Sequence, residues 1–395
     1  MYSKILVAFD GSKCSLIGGE IALKLTQMLG SELVATHIYD AGLHSKRFVE
    51  MEPTLPMEYQ EESKLNELRE THDDLIFDGF EALSKGYMEQ YLKKADEYGV
   101  MVNQVHKEGR NYIQLLKLIK EHNINLVVLG AHGLGALGDG ALGSTAQRVL
   151  RFAHCDVLIA RRPMNSGGII TGIDGSDDAM AAFRKAVVCS RTLGKQLTLV
   201  AAYDPHFHTT IFKTMAGALS QERQEEVGVV KQETLHEEII DDGLGKLYQS
   251  FLDNAHEKCI ELGMEAGTEL LQGKAYQKVN EYVEESGTDL TIVGRFGNHR
   301  EDSALIGSQS ELIASRSQSN VLVTKATDIQ EKSAETDSQP LAWDDDAQAR
   351  FDRIPSFAQS MARKAIENSM RSQGKTRVTL ADFQEIAQQF GMGNK

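Results

Sequence analysis

Sliding the 395-residue sequence against itself produces a match at one constant offset of 164 residues. Val7-Ala8-Phe9-Asp10-Gly11-Ser12 falls on Thr171-Gly172-Ile173-Asp174-Gly175-Ser176, and Tyr39-Asp40 falls on Tyr203-Asp204. Val128-Leu129-Gly130 meets Ile292-Val293-Gly294, and Asp156-Val157-Leu158-Ile159 meets Asn320-Val321-Leu322-Val323. No gap is needed between these landmarks, so one supersecondary plan is built twice. The halves run from 1 to 163 and from 168 to 327, joined where Pro163 and Gly167 mark a connection.

Within each half, short β-branched runs alternate with longer amphipathic stretches. In the first half the pattern predicts strands at 4–9, 32–39, 100–107, 126–129 and 157–160. Helices are expected at 16–29, 86–98, 112–122 and 144–153. Continuous apolar strands alternating with helices predict an α/β fold: two tandem five-stranded, parallel, doubly wound domains. The stretch 328–346, rich in Asp and Glu among Ser, Thr and Pro, reads as an acidic linker. Residues 347–395 carry eight basic against four acidic residues and form a separate, mildly basic helical module. Its start signals are Ser356-x-x-Gln359 and Thr379-x-x-Asp382, its stops Gly374 and Gly391.

The chemistry-bearing motif follows the fourth strand. Gly130-Ala131-His132-Gly133, nine residues, then Gly143-Ser144 opens a helix; the second half repeats it as Gly294-Arg295-Phe296-Gly297, nine residues, Gly307-Ser308. Glycines let backbone approach a phosphate, free N–H groups at the helix start hold the anion, and the hydroxyl adds a donor. In a doubly wound sheet this loop lies beyond the strand ends, where ligands bind. Asp10 and Asp174 close the first strand of each half and face the same loop; an Asp-Gly-Ser turn with no ligand is the competing reading. His132 could polarise a phosphate or water, but Phe296 occupies its equivalent, and neither half offers a convincing hydrolytic base or nucleophile.

Each half also carries an insertion after its second strand, with His44 matching His208 and His72 matching His236 beside recurring acidic residues. A metal, a lid or dimer interface, and simple common descent of the two halves are the open readings. With 57 acidic against 42 basic residues, a net charge of −15 opposes sequence-independent nucleic-acid binding. The four cysteines lack metal-ligand spacing. No window is apolar enough for a membrane span and the N-terminal residues do not read as a signal peptide, which points to the cytoplasm.

The Val-Ala-Phe-Asp-Gly-Ser start, the G-x2-G-x9-G-[ST] loops and Ala146-Gln147-Arg148-Val149-Leu150-Arg151 before His154-Cys155-Asp156-Val157-Leu158 resemble the universal stress proteins, here as a tandem pair. The resemblance implies ATP in each loop, with Mg2+ and ribose near the first-strand aspartate and adenine near a residue late in the second strand. It assigns Asp10, Ile38, Gly130, Gly133, Gly143 and Ser144 to one site, and Asp174, Ala202, Gly294, Gly297, Gly307 and Ser308 to the other. In the second half Ser315-Arg316-Ser317-Gln318 departs from the family pattern. The implied function is a stress-response sensor or adaptor, paired internally or as a homo-oligomer. A slow Mg2+-dependent ATPase is the alternative.

The tail, from Trp343 through Ile354-Pro355-Ser356-Phe357 and Ala362-Arg363-Lys364-Ala365-Ile366-Glu367 to Val378-Thr379, resembles the small C-terminal domain of the light-independent protochlorophyllide reductase B subunit. The cluster cysteines of that reductase are absent. A docking module for a protein partner is one expectation, and tetrapyrrole binding the other.

Overall fold

In the computed structural model, β1 (Lys4–Phe9) pairs in parallel with β2 (Glu32–Tyr39) and β4 (Leu126–Gly130), and β2 pairs with β3 (Val102–Glu108). β5 (Asp156–Ala160) completes the first half, giving the order 3-2-1-4-5. The second half repeats it with β6 (Ile169–Gly172), β7 (Leu197–Tyr203), β8 (Ala266–Gln272), β9 (Leu290–Gly294) and β10 (Asn320–Thr324). The structure describes residues 1–134, 142–204, 214–226, 229, 241–298, 305–326, 341–352, 363, 366–367, 369–370 and 373–389.

The two expected five-stranded sheets are one ten-stranded sheet. β5 and β10 pair antiparallel, Leu158 opposite Leu322 and Val157 opposite Val323. Leu158 and Leu322 are 164 residues apart, so a pseudo-twofold axis passes through their pair. Each half thereby covers the apolar strand edge that the other would expose. Every residue of β5 and β10 is buried, whereas the outer strands β3 and β8 present Asn103, Gln104, Thr268 and Glu269 to solvent.

Helices cover both faces, and caps repeat with the sequence. In α1 (Lys13–Leu29) Ser12 Oγ accepts from Ser15 N–H, and Gly30 ends the helix in the left-handed region at φ 64°. In α6 (Asp177–Leu193) Ser176 and Gly194 do the same. The remaining helices of the first half are α2 (Ala41–Met51), α3 (Glu62–Glu97), α4 (Asn111–Glu121) and α5 (Ser144–Phe152). The second half has α7 (Gln221–Glu226), α8 (Asp241–Glu261), α9 (Ala275–Ser286) and α10 (Ser308–Arg316).

The helix expected at 86–98 is much longer. α3 has 36 residues and spans about 54 Å, so the insertion is an α-helical hairpin of α2 and the start of α3. A bidentate pair holds it: Arg69 donates from Nε and Nη2 to the two Glu52 carboxylate oxygens, each at 2.6 Å. The insertion histidines of this half serve that packing. His72 stacks on Phe48 with ring centroids 4.5 Å apart, and His44 lies edge-on to Phe80. His208 and His236 lie outside the described residues. Among the described residues no three His, Cys, Asp or Glu groups gather as a metal site.

Reciprocal bonds across the seam lock the halves. Asp156 Oδ1 accepts from Lys325 N–H at 3.1 Å, and Asn320 Oδ1 accepts from Arg161 N–H at 2.8 Å; these are equivalent bonds read in the two directions. The buried Asp156 is also paired with Lys185 of α6 at 2.6 Å and accepts from Tyr2 Oη at 2.6 Å. Two arginines at non-equivalent positions, Arg295 buried and Arg161 half-buried, finish the lock. Arg295 Nη1 donates to the Leu150 carbonyl of α5 at 3.1 Å, while Arg161 Nη2 donates to the matching Ala314 carbonyl of α10. Burial lowers the Arg161 guanidinium to about 10, which leaves it charged at neutral pH.

The tail has its own core of Leu341, Ala347, Phe351, Ile366, Met370, Val378, Phe383 and Ile386. β11 (Ala342–Trp343) pairs with β12 (Arg377–Val378), so residues expected in the linker belong to the tail's fold. Among the described residues its helices include α11 (Asp345–Phe351) and α12 (Leu380–Gln389). At the start of α12, Asp382 Oδ2 accepts from Thr379 N–H at 3.1 Å and Thr379 Oγ1 accepts from Asp382 N–H at 3.3 Å, the expected capping box. The signal at Ser356 and the stop at Gly391 lie outside the described residues.

Asp156→Ala strands the Lys185 ammonium and the Tyr2 hydroxyl and costs about 3 kcal/mol in urea unfolding. Asp156→Asn, which copies Asn320, costs less.

Candidate functional site

β1 is flanked by β2 on one side and β4 on the other, so the chain reverses its winding direction between β1 and β4, and a crevice opens beyond their carboxyl ends. Asp10 leaves β1 there, Gly130 ends β4, and Gly143-Ser144 starts α5. A cavity of about 320 Å3 fills the crevice. All six first-half residues singled out in the sequence line it: Asp10, Ile38, Gly130, Gly133, Gly143 and Ser144. The second half has a matching cavity of about 330 Å3, lined by Asp174, Ala202, Gly294, Gly297, Gly307 and Ser308.

The glycines do different things. A Cβ at Gly130 would lie 2.7 Å from the Ser15 backbone nitrogen and 2.9 Å from the Cys14 carbonyl carbon, so this glycine lets α1 abut the loop. Gly294 meets Ala179 and Asp178 of α6 in the same way. At Gly133 and Gly297 a Cβ would come within 2.8 Å of Asp10 Oδ2 and Asp174 Oδ2, so these glycines give the aspartates room at the loop. Gly143 has its nearest neighbour, the Ala131 carbonyl, at 3.4 Å, an ordinary contact. It keeps the helix start open rather than the fold closed.

Each aspartate is fixed by the turn that follows it. Asp10 Oδ1 accepts from Ser12 N–H at 3.0 Å, and Asp174 Oδ1 accepts from Ser176 N–H at 2.9 Å and from Ser176 Oγ at 2.6 Å. The turn reading of these residues is therefore correct as local structure and compatible with a ligand role, because one carboxylate oxygen serves the turn while Oδ2 faces the loop glycine. The turn is clamped from behind. Gly11, at φ 76°, lies under the Tyr87 hydroxyl, and Gly175, at φ 79°, lies under the Phe251 ring, so neither position admits a side chain. Desolvation raises the Asp174 carboxyl above the ordinary aspartate range; the Ser176 bonds oppose this, and the nearby Asp178 carboxylate reinforces it.

Sequence reasoning missed several lining residues. Asn111 and Thr145 add an amide and a hydroxyl to the first cavity, Tyr248 and Asn298 a phenol and an amide to the second. Asn298 Nδ2 donates to the Asp174 carbonyl. None belongs to a repeated motif, and only packing of separate elements reveals them. Asp10 is the one acidic or basic residue among the described residues lining the first cavity. A single carboxylate there fits Mg2+, which keeps most of its waters and takes its remaining oxygens from substrate phosphates.

The sequence model described as the universal stress protein family matches residues 1–161 and again 167–325. A second, described as the proto-chlorophyllide reductase 57 kD subunit, matches residues 343–386. Universal stress protein MJ0531 of Methanocaldococcus jannaschii is 30% identical over 163 residues, covering 41% of this chain and 84% of that protein. Universal stress protein YxiE of Bacillus subtilis is 28% identical over 161 residues, 41% of this chain and 100% of its own length. Each thus corresponds in length to one repeat. The crystal structure of a universal stress protein from Archaeoglobus fulgidus aligns with 82% of this chain and 99% of its own at a TM-score of 0.52 and 16% identity, which shows the fold alone.

Gly130→Ala pushes backbone against backbone and destabilises the chain by about 1–3 kcal/mol, whereas Gly143→Ala leaves the unfolding midpoint close to wild type; urea titrations distinguish them. Because the folded-state value of Asp174 is raised, its ionised carboxyl opposes folding near neutral pH. That penalty fades as pH falls through the folded value to about 4. Asp174→Asn accordingly melts above wild type near neutral pH, and the gap narrows in melts at about pH 4.

Proposed function

The chain belongs to the universal stress protein family, and on that premise we propose that it is a cytoplasmic ATP-binding sensor or adaptor. Nucleotide occupancy of its paired α/β halves would govern what its C-terminal module engages. One observation carries the reading. Residues scattered from 10 to 144 in the sequence converge on a single cavity, and their equivalents at the repeat offset converge on a second of nearly equal volume.

The chemistry of the first cavity suits binding more than turnover. Backbone N–H groups at the start of α5, the Ser144 hydroxyl and the positive helix end receive phosphate oxygens. The apolar wall of Ile38, Leu115 and Leu129 suits a base, and Asp10 suits ribose hydroxyls or a Mg2+ ion held on the phosphates. Asp10, the one ionisable group of the described lining, has Oδ1 engaged by the Ser12 N–H, which favours a retained nucleotide as signal over rapid hydrolysis.

Signal output has a physical route. α5 begins at the first cavity, and its C-terminal carbonyls are held by Arg295, which sits in the loop of the second. A shift of α5 on nucleotide binding therefore pulls on the other half. In the tail the half-buried Arg363 lies over the faces of Trp343 and the buried Phe351, each at 4.7 Å to the centroid.

Denaturing purified protein and separating the released small molecules tests the nucleotide reading. Adenine nucleotide is expected to be released or, if the protein purifies empty, to bind on titration, with binding at the first site lost in Gly143→Val. A chain that releases none and binds no added ATP overturns the proposal.

A further inference from the structure

The two cavities share a frame but surround a polyphosphate with different charges. The difference lies in the helix turn that abuts each glycine loop. In α1 that turn begins Lys13-Cys14-Ser15 and holds no acidic residue; in α6 it begins Asp177-Asp178-Ala179. At the repeat offset, a cation and a thiol have become two carboxylates.

Asp178 is buried, and its carboxylate is spent on the protein itself. Oδ2 accepts from Phe296 N–H at 3.0 Å and Oδ1 from Ala326 N–H at 2.7 Å. Phe296 belongs to the Gly294-Arg295-Phe296-Gly297 corner and lines the cavity, so a backbone donor of that corner is already held by an internal anion. Cys14, at the equivalent place, instead directs its thiol to the Arg161 carbonyl at 3.8 Å. Asp10 and Asp174 precede the two helices alike, but the first turn of α1 adds no further carboxylate, while Asp177 and Asp178 further offset the positive end of α6. Arg295 adds a cation to the second loop, but its guanidinium is directed to the Leu150 and Cys155 carbonyls of the other half.

The second cavity is also more apolar. Phe296 is buried where the first half has His132, and Tyr248 and Ile313 join the wall.

We infer that the second cavity takes an uncharged nucleoside in preference to a nucleoside triphosphate, and that Asp178 sets this discrimination. The inference rests on the reading of both cavities as nucleotide sites. Ribose hydroxyls donate to Asp174, the base lies on the apolar wall, and a phosphate chain would meet the field of Asp178 behind the loop. Asp178 is a specificity residue acting through the Phe296 N–H and its own charge, without touching the ligand.

The test is calorimetric titration of the full chain carrying Gly143→Val, which blocks the first cavity, with adenosine and with ATP plus Mg2+. Adenosine is expected to bind at least about tenfold more tightly than ATP. Restoring the first-half residues with Asp177→Lys and Asp178→Cys is expected to shift the ATP-to-adenosine affinity ratio toward ATP by about tenfold or more. The single variant Asp177→Lys, at an exposed position, should move that ratio part of the way even if the double variant folds poorly. The ratio is the readout, since merely structural damage weakens both ligands together. Equal affinities for the two ligands, or a ratio unmoved by Asp177→Lys, overturn the inference. If the blocked chain binds neither ligand while wild type still binds ATP, the inference fails and the nucleotide reading stands. A wild-type chain that binds neither ends both.

Discussion

The antiparallel seam between β5 and β10 is the contact on which the rest of the molecule is arranged. Five parallel strands ending in Val157-Leu158-Ile159 would leave a fully apolar edge of unpaired backbone groups, and pairing it with its own repeat satisfies those groups and buries both strands. Because the paired residues are themselves repeat equivalents, the seam imposes the pseudo-twofold and places the two cavities in equivalent settings. It also explains why so many polar side chains are buried there. Asp156, Asn320, Arg161 and Arg295 each answer a backbone group that the junction would otherwise strand.

Twofold arrangement does not enforce identical chemistry. In separate identical chains a substitution appears on both sides of the axis, but in one tandem chain each half changes alone. Asp156 with Lys185 opposite Asn320, and Arg295 opposite Ala131, show the seam tolerating this as long as hydrogen bonds balance. The same freedom reaches the cavities, where Cys14 and Asp178 occupy one structural position and only the second brings a carboxylate. Arg295 joins the two effects, since one side chain in the second loop fixes the helix whose other end opens the first cavity.

Much of the candidate site was legible because its elements are short-range. Asp-Gly-Ser ending an apolar run and Gly-x-x-Gly before a serine-led helix each encode local backbone geometry that needs no distant partner. Ile38 and Ala202 were legible only through family resemblance, since an apolar residue late in a strand carries no chemical signature. The hairpin of α2 and α3 was illegible as such. Its sequence is polar on most faces, and what holds it is the Glu52–Arg69 pair and aromatic contacts such as Phe48 with His72, across separations that periodicity does not see. The tail illustrates the same limit, since Leu341 to Trp343 read as linker by composition but pair with Arg377–Val378 to close a small core.

By itself the sequence determined the repeat, the order of the strands along the chain, the tail's capping box and the glycine loops, because each depends on residues within a few positions of one another or on an exact offset. Tertiary structure alone decided that the halves share one sheet and that Gly130 serves helix packing while Gly143 serves the open cavity. It also decided that Asp178 stands behind the second loop. Those outcomes depend on which atoms meet after the chain has closed, and a strand edge or a buried carboxylate has no partner until distant segments bring one to it.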